Sequence, residues 1–160
     1  MAKNLTTVVS SKTQTVEINR NNPTVIIGER INPTGRKLML KALQNGDFDM
    51  VRTDALSQVA AGAKILDVNA GVPGADEIAL MKQVLSTVME AVDVPLCIDT
   101  ADTDALAVAL ELYEGKALIN SVNGEERSLE TVLPLAKEHG AALIALCMDD
   151  DGIPATADER

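Results

Sequence analysis

Short amides and carboxylates close five apolar runs of this chain. Glu29, Arg30 and Asn32 follow the first run, Asp67 and Asn69 the second, and Asp99 the third. Asn120, Ser121 and Asn123 follow the fourth, and Asp149 the fifth. A carboxylate accepts two parallel N–H bonds, so Asp99 suits the amidine-like edge of a planar heterocycle. An amide both donates and accepts, so Asn120 can meet a ring nitrogen in either protonation state. The only histidine, His139, lies away from these ends, which leaves no Ser-His-Asp set. No cluster of His and Cys has metal-ligand spacing, and no Walker-type phosphate loop is present. The set is therefore suited to hold a polar ring by hydrogen bonds rather than to attack it covalently.

Each of these residues also has a structural use. Asp99 could cap the helix after its strand, and Asn120 could satisfy loop backbone. Asp67 and Asn69 are as well suited to scaffold hydrogen bonds as to ligand contact. Glu29, Asn32 and Ser121 are rim candidates, and Glu29 with Arg30 is expected to form an ion pair there. Asp149-Asp150-Asp151 lacks the spacing of a calcium loop and reads as a solvated rim. His139 precedes a helix-ending Gly and is expected to face the helix dipole or solvent.

The elements that must position this set follow from periodicity. Apolar runs of four to eight residues, alternating with helices, read as buried parallel strands whose ligand sits at the carboxyl ends. Strands are expected over residues 24–31, 64–69, 94–99, 116–120 and 141–148. Helices are expected over 36–44, 47–61, 75–91, 102–113 and from a cap at Ser128 to Gly140. On the second helix Met50, Val51, Ala55, Leu56 and Val59 should form the buried face. On the third, Ile78, Met81, Leu85, Val88 and Met89 should do so. The β-branched runs 6–10 and 13–18 suggest a hairpin, which could plug the bottom of a barrel. Residues 1–22 are thus expected to be a hairpin or tail, and 23–160 the main domain. Thr156 and Glu159 have capping-box spacing and announce one more helix.

At 160 residues the chain can bury one core. The formal charge of −10 and the near absence of aromatic residues disfavour nucleic acid and anionic membrane as partners. No apolar run is long enough to span a bilayer, and a cytoplasmic location is expected. Cys97 and Cys147 lie in apolar runs and read as buried free thiols of a reduced compartment.

Ile27-Gly28-Glu29-Arg30-Ile31-Asn32, Leu66-Asp67-Val68-Asn69-Ala70-Gly71, Leu96-Cys97-Ile98-Asp99 and Ile119-Asn120-Ser121 resemble motifs of the pterin-binding (dihydropteroate synthase-like) superfamily. The order of these motifs, with Gly152-Ile153-Pro154, is similar to that of the methyltetrahydrofolate:corrinoid/iron-sulfur protein methyltransferases. The resemblance implies a TIM (β/α)8 barrel, of which this chain holds the first five βα units and an N-terminal β-hairpin, an incomplete barrel. An N-terminal fragment is the expectation. The resemblance also implies methyl transfer from N5 of methyltetrahydrofolate to the cobalt of a cobalamin (corrinoid) carried by a partner protein, without a bound metal of its own. It implies that Asp99 holds the pterin edge, that Asn120 is catalytic near N5, and that Asp67 and Asn69 shape the site. Members of this group are often dimers, so a homodimer is a further expectation. The folate domain of cobalamin-dependent methionine synthase carries a similar Gly-Glu-Arg motif. Dihydropteroate synthase is disfavoured, because its first-strand Asn-Val-Thr-Pro-Asp-Ser-Phe-like motif is replaced here by Ile31-Asn32-Pro33-Thr34-Gly35. An inactive pterin-binding fragment is the remaining alternative.

Overall fold

Five parallel strands in sequence order carry the fold. A computed structural model describes residues 5–160. The strands β3 (Ile27–Ile31), β4 (Ile65–Asn69), β5 (Leu96–Asp99), β6 (Leu118–Val122) and β7 (Ala142–Ala145) form one sheet in that order, preceded by a separate antiparallel pair, β1 (Thr7–Ser10) and β2 (Thr15–Ile18). The helices α1 (Lys37–Gln44) and α2 (Asp49–Ala60) link β3 to β4; α3 (Glu77–Ala91), α4 (Thr103–Leu112) and α5 (Glu126–Glu138) make the remaining crossovers. The fold is α/β. Its sheet has five of the eight strands of a closed (β/α)8 barrel, with β3 and β7 at its two edges.

Side-chain alternation divides the sheet into two faces. Leu66, Val68, Leu96, Ile98 and Ile119 point to the helices and pack with Met81, Leu85, Val88 and Leu106 in the main core. Ile65, Cys97 and Leu118 point the other way and enclose Val9 of the hairpin. The hairpin thus lies against the amino end of the sheet, on the face away from the helices. Lys116 and Ser10 exchange two backbone hydrogen bonds of 3.0 Å. The Tyr113 hydroxyl donates to the Ser10 carbonyl at 2.8 Å and accepts from the Leu96 N–H at 3.1 Å. Burial pushes that phenol up to about 12, so it stays protonated and keeps both bonds. Gly115 has no alternative, since a Cβ there would sit 2.2 Å from the Ser10 carbonyl oxygen.

Several sequence-based boundaries move. On α2 the buried positions are Val51, Asp54, Ala55 and Gln58, while Leu56 is exposed. A polar network, described below, draws the two polar residues inward. Helix α5 starts at Glu126, not after a Ser128 cap. The Ser128 hydroxyl accepts from the Asn123 N–H at 3.1 Å, and Asn123 Oδ1 accepts from the Glu125 N–H at 3.1 Å. Those bonds start the helix two residues earlier. Strand β7 ends at Ala145 because the chain then curls over Gly124, whose N–H donates to the Met148 carbonyl at 2.7 Å. Cys147 falls on that curl and is exposed; Cys97 alone is a buried thiol. The Thr156 N–H does donate to Glu159 at 3.1 Å, but the segment forms turns rather than a helix. Among the described residues, no helix is long and apolar enough to cross a membrane.

Candidate functional site

The parallel register places the polar strand ends in a row. Asn69 on β4 is aligned with Asp99 on β5, and Asp99 with Asn120 on β6. One layer below, Asp67 is aligned with Cys97, and Cys97 with Leu118. Residues two apart share a face, so Asp67, Asn69, Asp99 and Asn120 all lie on the face opposite the helices, at its carboxyl end. The hairpin occupies the amino end of that face.

Hydrogen bonds fix this group. Asn69 Nδ2 donates to Asp99 Oδ2 at 3.0 Å, and Asn69 Oδ1 accepts from the Gly71 N–H at 2.8 Å. The second bond sets which end of the Asn69 amide faces the carboxylate. Asn120 Nδ2 donates to Asp67 Oδ1 at 3.2 Å. Scaffold hydrogen bonds therefore tie these four residues together in two pairs. Asp99 does not cap the following helix. Asp102 does, accepting from Asp104 N–H at 2.9 Å and Ala105 N–H at 3.0 Å. Thr100 donates to Glu77 and accepts from the Asp102 N–H, which ties the β5 turn to α3.

Asp67 is 3% exposed, and its Oδ2 meets no donor among the described residues. Burial pushes its carboxyl above the usual range. The Asn120 and Cys97 donors draw it back in part, and the charges of Asp99 and Glu29 push it up again. The Cys97 thiol is pushed far up by burial and by Asp67 beside it. It stays protonated and does not act as a nucleophile.

The rim departs from the expected ion pair. Glu29 and Arg30 lie where the register of β3 against β4 shifts, and they do not pair with each other. Arg30 instead reaches Asp54 at 3.6 Å, and Arg36 reaches the same carboxylate at 2.5 Å. Arg36 also donates to the Arg30 carbonyl, and Gln58 Oε1 accepts from the Arg30 N–H at 2.8 Å. Gly28 makes room for this: a Cβ there would lie 2.6 Å from Gln58 Oε1. Sequence reasoning missed Asp54 and Gln58. Their four-residue spacing on one helix, opposite an Arg-bearing strand end, was the available signal. Asn32 Oδ1 accepts from the Thr34 N–H at 2.9 Å and shapes the turn after β3. Glu29 is exposed.

Ser121 lines a cleft of about 370 Å³ that begins at Asp99 and Asn120 and passes between α4 and α5. No group of three or more His, Cys, Asp or Glu among the described residues is placed to hold a metal ion. His139 is the C-cap of α5, at the far end of that helix from the site. The site can accept paired N–H groups and donate amide hydrogens to a ring.

Known proteins share the sequence pattern and the fold. A family model described as "Pterin binding enzyme" matches residues 28–160. The chain is similar to a methylcorrinoid:tetrahydrofolate methyltransferase of Eubacterium limosum, 35% identical over 138 residues, which covers 85% of this chain and 51% of that protein. It is also similar to methionine synthase of Mycobacterium tuberculosis, 32% identical over 157 residues, covering 95% of this chain and 13% of that one. Among solved structures, dihydropteroate synthase of Thermus thermophilus superposes with a TM-score of 0.60 at 27% identity, over 89% of this chain and 49% of that chain. The chain thus spans about half the length, or less, of the relatives it matches.

Proposed function

The chain belongs to the pterin binding enzyme family, and from that premise we propose that the row of Asp67, Asn69, Asp99 and Asn120 binds the pterin ring of a tetrahydrofolate for methyl transfer between its N5 and the cobalt of a corrinoid on a partner protein. The names of the Eubacterium limosum and Mycobacterium tuberculosis relatives support a methyltransferase. Motif order from Gly28 to Asn120 supports the same reading.

The observation that carries it is Asp67 Oδ2. A buried carboxylate oxygen without a donor costs free energy in the isolated chain. A ligand N–H that reaches it removes that cost. Asp99 keeps one oxygen for Asn69 and offers the other. The paired N–H groups of a 2-amino pterin edge fit such an acceptor. Asn120, held by Asp67, presents its remaining amide N–H or its Oδ1 to a ring nitrogen. When bound, the corrinoid supplies a cobalt nucleophile and the folate supplies the methyl group. In that displacement the bond from N5 to the methyl carbon breaks, and its electron pair stays on N5. A donor at Asn120 stabilises that pair, and orientation by Asp99 places the methyl group. The Eubacterium limosum relative is named in the reverse direction, and one site serves both directions because they share a transition state.

Calorimetric titration with methyltetrahydrofolate tests the reading. The chain is expected to bind it, and Asp99→Asn to weaken binding about 10- to 100-fold, the loss of one charge-assisted pair. Absence of binding by the folded chain would sink the proposal. Following methyl transfer to cob(I)alamin by absorbance then separates this reading from dihydropteroate synthase chemistry, which uses a different leaving group and would leave cobalt unmethylated.

A further inference from the structure

Strand β3 carries one residue more than the strand it pairs with. Ile27 and Gly28 are level with Ile65 and Leu66 of β4, but Ile31 is level with Val68. Glu29 and Arg30 therefore share the place opposite Asp67. Such a bulge leaves its extra residue outside the ladder and bends the strand. Helix α2 holds it here. Gln58 Oε1 accepts from the Arg30 N–H at 2.8 Å, and Asp54, one turn earlier on the same helix, meets the Arg30 side chain at 3.6 Å. Gln58 is 8% exposed, and its Nε2 has no partner among the described residues. The bond to Arg30 is thus the polar contact that this buried amide makes.

The bulge decides what stands at the β3 end of the polar row. Ile31 is fully buried in the main core with Val68. The next residue, Asn32, follows Ile31 as Asn69 follows Val68. An uninterrupted register would instead set Ile31 level with Asn69 and carry Asn32 past the end of β4. Asn32 Oδ1 accepts from the Thr34 N–H, which leaves Nδ2 as its donor. We infer that Gln58 is a positioning residue of the site: by holding the bulge it sets Asn32 beside Asn69, where the Asn32 amide donates to the ligand bound by the row. The inference rests on the pterin reading above and deepens it, since it gives that site one more side chain and a support on α2. Gln58 itself touches no ligand.

Calorimetric titration of the full chain with methyltetrahydrofolate, run as a double-mutant cycle, tests this. Asn32→Ala and Gln58→Met are each expected to weaken binding about tenfold, the worth of one hydrogen bond. Because Gln58 acts through Asn32, the double variant should bind no more weakly than either single variant. Gln58→Glu keeps an acceptor oxygen for the Arg30 N–H and should recover most of the affinity lost in Gln58→Met. Losses that add in the double variant overturn the inference and leave the pterin reading standing. Undiminished binding by Gln58→Met does the same. So does undiminished binding by Asn32→Ala, a half-buried position outside the core, which decides the matter even if Gln58→Met does not fold. Failure of the unsubstituted chain to bind methyltetrahydrofolate overturns the pterin reading itself.

Discussion

Asp67 is a carboxyl buried beside Asn120 and Cys97, and its Oδ2 meets no hydrogen-bond donor among the described residues. Its folded-state carboxyl titrates above its unfolded value, with burial as the main cause. The folded chain therefore keeps the proton to higher pH than the unfolded chain does. Stability contributed by this group is present below the unfolded carboxylate range and is lost as pH rises through the raised folded value. Asp67→Asn removes the charge and keeps the shape. At neutral pH it is expected to raise the melting temperature by about 2–4 °C, roughly 1 kcal/mol. The gain should shrink toward acid pH, where Asp67 itself is neutral. The same variant should bind methyltetrahydrofolate more weakly. Thermal melts across pH, paired with titration, check both. A variant less stable than the parent at neutral pH would contradict this account of Asp67. The four polar positions of the row were legible in the sequence because each lies at the end of an apolar run, where a polar side chain has no packing reason to be.

The elements were legible in kind and blurred at their ends. On α3 the stripe through Met81, Leu85 and Val88 is buried as its spacing predicts. On α2 Met50, Val51, Ala55 and Val59 join the core as their spacing predicts, but Leu56 faces out and Asp54 and Gln58 are buried beside them. Periodicity counts only apolar residues and is blind to a polar network that is satisfied by another element, here Arg30 and Arg36. The hairpin was legible as a pair of β-branched runs, but its anchor was not, since Tyr113 lies 103 residues from Ser10. That anchor is testable. Tyr113→Phe keeps the ring and removes the hydroxyl, which leaves the Leu96 N–H and the Ser10 carbonyl without this partner. A loss of about 1–3 kcal/mol is expected, read as a lower urea midpoint with an unchanged slope. A hairpin that contributes nothing to the fold would leave the midpoint where it was.

At the scale of the molecule, charge and topology dominate. With 24 acidic and 14 basic residues the folded chain repels itself. Salt screens that repulsion, with a Debye length of about 10 Å at 0.1 M. The melting temperature is therefore expected to rise between a few millimolar and about 0.15 M sodium chloride. A fall over that range would mean that the ion pairs at Asp54 outweigh the net charge. The parallel five-strand plan was legible from the alternation of runs and helices, and similarity to the dihydropteroate synthase barrel at a TM-score of 0.60 agrees with it. Which pairs touch across the row, such as Asn69 with Asp99, was not legible. Register is set by packing of whole strands, and no single residue announces it.

The clamp at Tyr113 has an optical side. The chain has no tryptophan and only one tyrosine. Its tyrosine emission therefore comes from a single ring, buried where hairpin, β5 and α4 meet. Detachment of the hairpin takes the Ser10 carbonyl away from that hydroxyl and changes the surroundings of the ring. The protein thus carries its own label at the amino end of that sheet face, and hairpin release can be followed by fluorescence in the unmodified chain.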